Sequence, residues 1–344
     1  MPQKYFDGKF ISKISSYTKP LTKSEIDTYI CEGEECAALR SLKGVEPEEF
    51  KNLVENVGKY LGENSGKGFT SDYQSFKLSD DIELWSFELP GGGNLYLIDL
   101  PEGKMIIDTG YGCFFKDCKK MVESLVYKGF SDVRAVICTH GDADHCGASG
   151  YFDVPPVMHP ITKALLESGT RGYHSPNGLE VLEKFYTTTI NTFSRMNIPE
   201  KIITLDTEPL SHHGIFPVID KISFEGLNFE VWESLGGHIA GQIFLYEKRY
   251  GVLFTSDALI NFQTLSKERA NYSSIADSMI GSVNVDSSIA RTERQELMKI
   301  SKELDDELKK SGRRLLIACG HGSVSILSDE GKLIPASESK HYSA

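Results

Sequence analysis

The sequence predicts an α/β protein in which an N-terminal helical extension, residues 1–70, precedes a layered domain of strands and helices, residues 71–335. Helical spacing of apolar residues marks the first segment. From Phe76 onward, strand patterns alternate with helical ones, which is typical of layered α/β proteins. A cluster of histidines and aspartates then follows a buried strand, and α/β proteins build their sites on loops of this kind.

The extension contains two predicted helices. Thr22-Lys-Ser-Glu25 has the spacing of a capping box, in which the first and last residues of the motif satisfy each other's backbone N–H groups. The second helix, over residues 47–61, carries apolar residues at helical spacing from Phe50 to Leu61. Two interpretations stay open: an arm that covers the site or forms a homodimer contact, and a segment packed against the domain.

The layered domain is predicted as a succession of short strands and longer helices. Apolar runs between glycine and proline turns indicate the strands, and apolar residues at i, i+3 and i+4 indicate the helices. The predicted strands are residues 82–87, 94–98, 104–107, 133–138, 154–158, 221–224, 228–232, 242–246, 251–255 and 315–318, and the predicted helices are residues 116–130, 161–166, 179–196 and 288–310. The charged face of the last helix is expected to be solvated.

Residues 139–146, Thr-His-Gly-Asp-Ala-Asp-His-Cys, hold four side chains that bind cations when deprotonated: His140, Asp142, Asp144 and His145. In a non-helical turn, alternate residues point the same way, so the first three can converge while His145 reaches around the other side. One loop would then serve two neighbouring metal positions. Each residue alone fits a polar turn in which an aspartate caps a helix, but the four together favour metal binding.

The same stretch resembles the His-x-His-x-Asp-His signature of the metallo-β-lactamase superfamily, with Asp142 in place of the second histidine. Further segments resemble the other motifs of that family, in the same order. Met105-Ile-Ile-Asp108 resembles the second-strand motif, Gly236-Gly-His238 the third histidine segment, Phe254-Thr-Ser-Asp257 the strand end with the bridging carboxylate, and Cys319-Gly-His321 the last histidine motif. The resemblance covers most of the chain.

The resemblance implies a four-layer αββα sandwich with a centre for two metal ions. Position one would be formed by His140, Asp142 and His238, position two by Asp144, His145 and His321, with Asp257 bridging both. Asp144 would also orient the metal-bound hydroxide, and Asp108 would support the ligands from behind. The implied activity is that of a dinuclear metal-dependent hydrolase, whose bridging hydroxide attacks an ester, thioester, lactone, amide or phosphodiester.

The ligand set leaves the metals open. Four histidines and three aspartates favour zinc, whereas the carboxylate of Asp142 in place of an imidazole shifts preference toward manganese or iron. Flavodiiron proteins have a glutamate at that position, and they resemble this sequence in the spacing between His238 and Asp257. The alternative function is therefore a non-haem diiron protein that binds or reduces dioxygen, without a flavodoxin module.

Other candidates lie outside these motifs. His159 follows the next strand, and a supporting or structural role is favoured for it because the resemblance already fills the ligand set. Residues 168–215 form an insertion relative to compact family members, and this insertion is expected to restrict the substrate without supplying chemistry. Its candidates for substrate contact are Tyr173, His174, His212 and His213. Each of these also fits an ordinary surface position.

The composition fits a cytoplasmic globular enzyme, and the family resemblance implies a small-molecule substrate. A formal net charge of -12 counts against nucleic acid as a partner, because proteins that bind phosphate backbones concentrate basic residues. The 7 cysteines form no close-spaced framework and predict reduced thiols. Neither a secretory signal nor an apolar stretch of about 18 residues is present, so no membrane span is predicted.

Overall fold

The computed structural model describes residues 4–18, 20–172 and 180–344. In this part of the chain, two sheets pack face to face and helices cover the outer face of each. The helices are α1 (Gly8–Ile14), α2 (Lys23–Ser41), α3 (Pro47–Glu63), α4 (Phe115–Leu125), α5 (Ala143–Cys146), α6 (Pro160–Ser168), α7 (Glu180–Ser194), α8 (Lys267–Ser273), α9 (Ile275–Ile280) and α10 (Ser287–Lys309). None of them is both long and apolar enough to cross a membrane.

The strands of the first sheet are β1 (Thr70–Lys77), β2 (Glu83–Glu88), β3 (Asn94–Leu100), β4 (Gly103–Ile107), β5 (Val133–Ile137), β6 (Val157–Met158), β7 (Ile203–Thr204) and β16 (Lys340–Ser343). Those of the second sheet are β8 (Ser211–His213), β9 (Phe216–Phe224), β10 (Leu227–Glu233), β11 (Ile243–Glu247), β12 (Val252–Ile260), β13 (Leu316–His321), β14 (Ser325–Leu327) and β15 (Leu333–Pro335).

Strand order places the carboxyl ends of several parallel strands at one edge. The first sheet runs β16-β1-β2-β3-β4-β5-β6-β7 and the second β15-β14-β13-β12-β11-β10-β9-β8. Pairing is parallel from β4 to β7 and between β12 and β13, and the helices α4 and α10 lie on crossovers of the kind that parallel pairs require. At this edge an isolated bridge between Gly93 and His321 joins the two sheets.

Three buried apolar clusters produce the layers. The first lies between the sheets and includes Leu84 and Ile98 from one sheet and Phe229 and Phe254 from the other. The second fills the space between the first sheet and helices α1–α4, α7 and α9, and the third lies between the second sheet and α10. Burial of apolar surface on both faces of each sheet drives this arrangement. The predicted αββα sandwich is confirmed.

The N-terminal helices pack against the domain. The predicted capping box forms at the start of α2, where Thr22 Oγ1 accepts from the Glu25 N–H at 3.2 Å and the Glu25 carboxylate accepts from the Thr22 N–H at 2.6 Å. On α3, Phe50 is fully buried and its ring centroid lies 5.8 Å from that of Phe185 on α7. The extension therefore shares an apolar cluster with the domain.

Candidate metal centre

The seven candidate ligands approach one edge of the sandwich from both sheets. From the first sheet come His140 after β5, Asp142 before α5, and Asp144 and His145 on α5; from the second come His238 between β10 and β11, Asp257 on β12, and His321 at the end of β13. All four histidines are buried. Neither sheet alone supplies the set.

The central motif differs from the sequence prediction in its local conformation. Asp144 and His145 lie in a helical turn, α5, because the backbone N–H groups of His145 and Cys146 both donate to the Asp142 carbonyl oxygen at 3.0 Å. Asp142 therefore stands where a helix-capping residue would stand. Its side chain accepts no capping hydrogen bond from the turn, however, so its carboxylate is available to the other candidates.

Position one brings together His140, Asp142 and His238, whose ligand atoms lie within 4.8 Å of one another. Asp142 Oδ2 is 3.1 Å from His238 Nε2 and 3.7 Å from His140 Nε2. The Nδ1 atoms have partners on the other side of each ring: His140 Nδ1 lies 2.9 Å from Ser256 Oγ, and His238 Nδ1 lies 3.3 Å from Asn284 Oδ1. Both Nε2 atoms consequently face the carboxylate.

Position two brings together Asp144, His145 and His321, again within 4.8 Å. His321 Nε2 is 3.5 Å from His145 Nε2 and 3.4 Å from Asp144 Oδ2. Asp257 lies between the two positions. Its Oδ1 is 3.0 Å from His145 Nε2, and its Oδ2 is 3.2 Å from His321 Nε2 and 3.6 Å from His238 Nε2 of position one.

Asp108 supports this centre from the end of β4. Its Oδ2 lies 2.8 Å from His145 Nδ1, and its two oxygens accept from the backbone N–H and the hydroxyl of Thr139, each at 2.7 Å. A carboxylate behind a metal-binding histidine fixes the ring orientation and increases its basicity. Asp108 adopts a left-handed φ of 58°, an uncommon conformation for a non-glycine residue.

A backbone irregularity in β12 accompanies Asp257. Ser256, which directly precedes it, has a φ of 48°, and the pairing register of β12 with β13 shifts on either side of Ser256. Such a bulge changes the direction of the neighbouring side chains and is common next to active sites. The same bulge places Ser256 Oγ 2.9 Å from His140 Nδ1 and 2.9 Å from Thr139 Oγ1.

Carboxylates dominate the electrostatics of the centre. Burial lowers the pKa of His145, but the carboxylates of Asp257, Asp144 and Asp108 outweigh burial and raise this pKa well above its ordinary value. Burial likewise opposes protonation of His321, yet Asp257 and Asp144 raise its pKa to about 10. Carboxylates that hold a proton this firmly on an imidazole would also hold a cation in its place.

Arg171 is a residue of the centre that the sequence analysis missed. Its Nε donates to Asp142 Oδ1 and its Nη2 to Asp142 Oδ2, each at 3.0 Å. Burial raises the pKa of Asp142, but this guanidinium together with His140 and His238 outweighs burial and holds the pKa well below its ordinary value. Arg171 belongs to the insertion, so the insertion contacts a candidate ligand as well as surrounding the site. A lone arginine has no periodicity by which sequence could predict its burial.

Glu293 is the second residue that was missed, because the charged face of α10 was expected to be solvated. Its side chain is buried. Oε1 accepts from Ser234 Oγ at 2.6 Å and from the Leu235 N–H at 2.5 Å, and Oε2 accepts from the Gly237 N–H at 3.1 Å. Three hydrogen bonds thus hold the loop that immediately precedes His238.

A cavity of about 610 Å³ extends from the ligands to the surface. Its walls include tyrosines (Tyr111, Tyr186, Tyr272), apolar residues (Val57, Ile190, Ile260, Phe262, Leu265, Ile275) and the cation of Arg294. Val57 comes from α3, so the N-terminal extension forms part of this wall. Burial raises the pKa of Tyr272 well above its ordinary value, and its phenol therefore stays protonated as a hydrogen-bond donor.

His159 lies outside both groups of ligand atoms. It stands at the start of α6, where its Nδ1 accepts from the Ile161 N–H at 3.1 Å. Its Nε2 lies 2.9 Å from Glu233 Oε1 at the end of β10. These contacts connect α6 to the second sheet.

The structure separates the histidines of the insertion from the centre. His213 on β8 stacks on Trp232, with ring centroids 4.2 Å apart, and lines a different recess of the second sheet and α10. His212 is exposed on the same strand. Neither lines the cavity beside the ligands. The other two candidates, Tyr173 and His174, lie outside the described residues.

The donor set fits divalent cations. Of the four carboxylates of Asp108, Asp142, Asp144 and Asp257, only Asp142 contacts a guanidinium among the described residues, and carboxylates largely removed from water are costly to keep charged without bound cations. Burial, assisted by the neighbouring His145, lowers the pKa of His140. Its neutral, buried Nε2 has no hydrogen-bond partner among the described residues, so this lone pair is available to a metal.

Solved structures similar to the chain include a metallo-beta-lactamase from Pontibacter korlensis (16% identity, 73% of this chain and 92% of that chain, TM-score 0.42), a metallo-beta-lactamase family protein from Thermus thermophilus (18%, 73% and 74%, 0.42) and a variant of the flavo di-iron protein from Thermotoga maritima (17%, 74% and 58%, 0.40). No curated protein matches significantly in sequence.

The family model described as the metallo-beta-lactamase superfamily matches residues 89–321, which is more than half of the chain. This match extends from the turn after β2 to the last residue of β13, so it includes every candidate ligand from His140 to His321. The chain belongs to the metallo-β-lactamase superfamily.

Proposed function

We propose that the chain is a dinuclear metal-dependent hydrolase that acts on a small-molecule ester, thioester, lactone, amide or phosphodiester. The observation that supports this most strongly is the convergence of four imidazoles and three carboxylates, of which Asp142, Asp144, His238, Asp257 and His321 line one cavity. The cavity volume of about 610 Å³ lies within the range typical of small-molecule sites.

Each ligand group has a distinct role in this proposal. His140, Asp142 and His238 would hold the first metal, Asp144, His145 and His321 the second, and Asp257 would contact both. Two such cations would supply a hydroxide nucleophile at neutral pH and polarise the substrate oxygen. Asp144 would orient the attacking oxygen, and Asp108 would keep His145 in the ring orientation that presents Nε2.

Zinc is the favoured metal, with manganese and iron as alternatives. Four imidazoles are a typical zinc donor set. The carboxylate of Asp142 favours a harder metal, but its bidentate contact with Arg171 offsets that charge. The pair therefore presents less negative charge than a free aspartate would, which supports zinc.

The cavity supports a substrate with an uncharged apolar group. Tyrosine rings and aliphatic side chains form much of its wall, and Arg294 is the one arginine or lysine among its lining residues in the described part of the chain. A polyanion such as nucleic acid would need more cations along its path. We therefore place small esters and lactones ahead of nucleic-acid phosphodiesters.

A second candidate function rests on the carboxylate of Asp142. A centre with Asp142 among its ligands would also suit a non-haem diiron protein that binds or reduces dioxygen. Protein loaded with iron would then show an oxo-bridge absorption band and consume dioxygen with a reductant. Hydrolysis of a generic ester without either property would eliminate this candidate.

Asp257→Asn tests the proposed function. The change removes a charge shared by both positions, and at an effective dielectric constant of about 20 a pair of unit charges about 4 Å apart is worth about 4 kcal/mol, or roughly 1000-fold in affinity. We expect the purified wild type to contain two divalent metals per chain and to hydrolyse members of an ester and phosphodiester panel. The variant should lose both properties.

Asp329→Asn is the matched control, because it removes the same charge from an exposed turn between β14 and β15. It should leave metal content and hydrolysis unchanged. A wild-type protein that binds no divalent metal, or an Asp257 variant with two metals and full activity, would contradict the proposal.

A further inference from the structure

Asp142 stands in place of the second histidine of the family signature, and its partner is the buried guanidinium of Arg171. Asp142 receives two parallel N–H···O hydrogen bonds from Arg171, at 3.0 Å to each oxygen. This fork geometry is the strongest way for an arginine to hold a carboxylate. The arginine side chain is 3% exposed and that of Asp142 is 17% exposed, so salt screens this pair less than it screens a pair on the surface.

Further contacts fix the guanidinium itself. Nη2 also donates to the Val283 carbonyl at 2.9 Å, and the ring of Tyr186 lies 5.7 Å from Cζ. Nη1 lies 3.8 Å from Glu183 Oε2. Arg171 therefore connects the central motif with α7 and with residue 283, which is next to the Asn284 that contacts His238. A side chain held from several directions can impose an orientation on Asp142.

The pair still leaves Asp142 able to bind a metal. Each carboxylate oxygen has two lone pairs, and the two arginine bonds occupy one on each oxygen. Oδ2, which is one of the two oxygens in the fork, is also 3.1 Å from His238 Nε2 and 3.7 Å from His140 Nε2. The second lone pair of this oxygen is therefore available to the other members of position one.

We propose that Asp142 and Arg171 act as one unit that replaces a neutral histidine ligand in position one, with Arg171 as the positioning residue. An aspartate alone would add a negative charge relative to an imidazole, and Arg171 cancels that charge while orienting the carboxylate. This inference rests on the proposed function, since it assumes that position one binds a metal. It predicts that residues 142 and 171 depend on each other.

A double-mutant cycle tests this dependence: Arg171→Met, Asp142→His and the double variant. Direct titration of metal-stripped protein with zinc and with manganese measures affinity at each of the two positions. Arg171→Met should weaken one position about 10–100-fold, the usual effect of losing a partner of a metal ligand. Asp142→His should weaken the same position, because it leaves a buried guanidinium beside the cation. The double variant should recover near wild-type zinc affinity with reduced manganese affinity.

Two further variants separate positioning from simple structural support. Arg314 makes the same fork with Asp305 near the C-terminal end of α10. Its Nε lies 2.9 Å from Oδ1 and its Nη2 lies 3.0 Å from Oδ2. Arg314→Met should therefore lower thermal stability without changing metal affinity. Arg171→Lys keeps the charge and loses the fork, so it should weaken the affected position less than Arg171→Met does.

Tighter or unchanged metal binding by Arg171→Met, or additive effects of the two substitutions, would overturn the inference. If both single variants are unfolded, a folded double variant that binds two metals supports the unit, and an unfolded double variant opposes it. A wild type that binds two metals while the cycle is additive rejects only this inference. A wild type that binds no metal rejects the proposed function itself.

Discussion

Glu293 offers a direct test of how the loop before His238 is held. Glu293→Gln keeps the shape of the side chain but replaces one acceptor oxygen with an NH2 group, and Glu293→Ala removes the side chain beyond Cβ. The three donors that face this carboxylate are a hydroxyl and two backbone N–H groups, and all three contacts are buried or partly buried. Neither substitution touches a candidate ligand directly.

The expected magnitude follows from these contacts. A hydrogen bond to a charged group contributes about 1.5–3 kcal/mol, and a buried donor left without a partner costs about 1–3 kcal/mol. Glu293→Gln should lose the bond to one oxygen and so lower the free energy of unfolding by about 1–3 kcal/mol. Glu293→Ala loses three, and some water can enter, so a decrease of about 3–5 kcal/mol is expected.

Urea unfolding of metal-stripped protein measures these changes, and metal titration measures the effect on His238. Both variants should weaken position one and leave position two unchanged, since Glu293 contacts only the loop of the first. Glu303→Gln, at an exposed site on the same helix, is the control and should match the wild type. Equal stability of Glu293→Ala and the wild type, or uniform weakening of both metal positions, would refute this reasoning.

Three more predictions follow from single contacts. Asp108→Asn should weaken metal position two about 10–100-fold in titrations, because it alters the partner of His145 Nδ1. Phe50→Ala should lower the free energy of unfolding by about 3–5 kcal/mol in urea, because this ring is fully buried. Burial raises the pKa of Asp305, but the hydrogen bonds from Arg314, the Leu315 N–H and Lys309 together outweigh burial and lower the pKa. The ion pair with Arg314 therefore stabilises the fold at pH values above the unfolded-state pKa of the aspartate, and the stabilisation is lost as the pH falls. The free energy of unfolding of Asp305→Asn should be lower than that of the wild type at pH 7 and equal to it in acid.

The sequence predicted those parts of the protein whose structure follows from a local pattern of residues. The strand before the central motif, the capping box at Thr22 and the helical spacing around Phe50 are local patterns, and each corresponds to an element of the structure. Ligand candidates such as Asp257 and His321 came from the resemblance to the family's motifs, and the structure places both beside His145. The layered fold followed from the order of these elements and from the family resemblance.

The remaining features depend on tertiary contacts that no local pattern encodes. Glu293 occupies a helix with many charged residues, and only the nearby donors of the β10–β11 loop explain its burial. Arg171 stands alone in the insertion, outside any periodic pattern. The segment at Asp144 was predicted as a non-helical turn, because four polar residues with a glycine resemble a loop, whereas the structure has a helical turn there. For the N-terminal helices, sequence could not distinguish an arm from a packed segment, since both bury one apolar face.

The division of the ligands between two sheets limits when the centre can assemble during synthesis. His145 and His321 face each other at 3.5 Å, yet 176 residues separate them in the chain. At about 5–20 residues per second, a ribosome would add the second roughly 9–35 s after the first. The nascent chain thus exposes half of a metal site long before the other half exists. Metal ions would enter only after the sheets dock, and each bound ion would then join the early and late halves of the polypeptide.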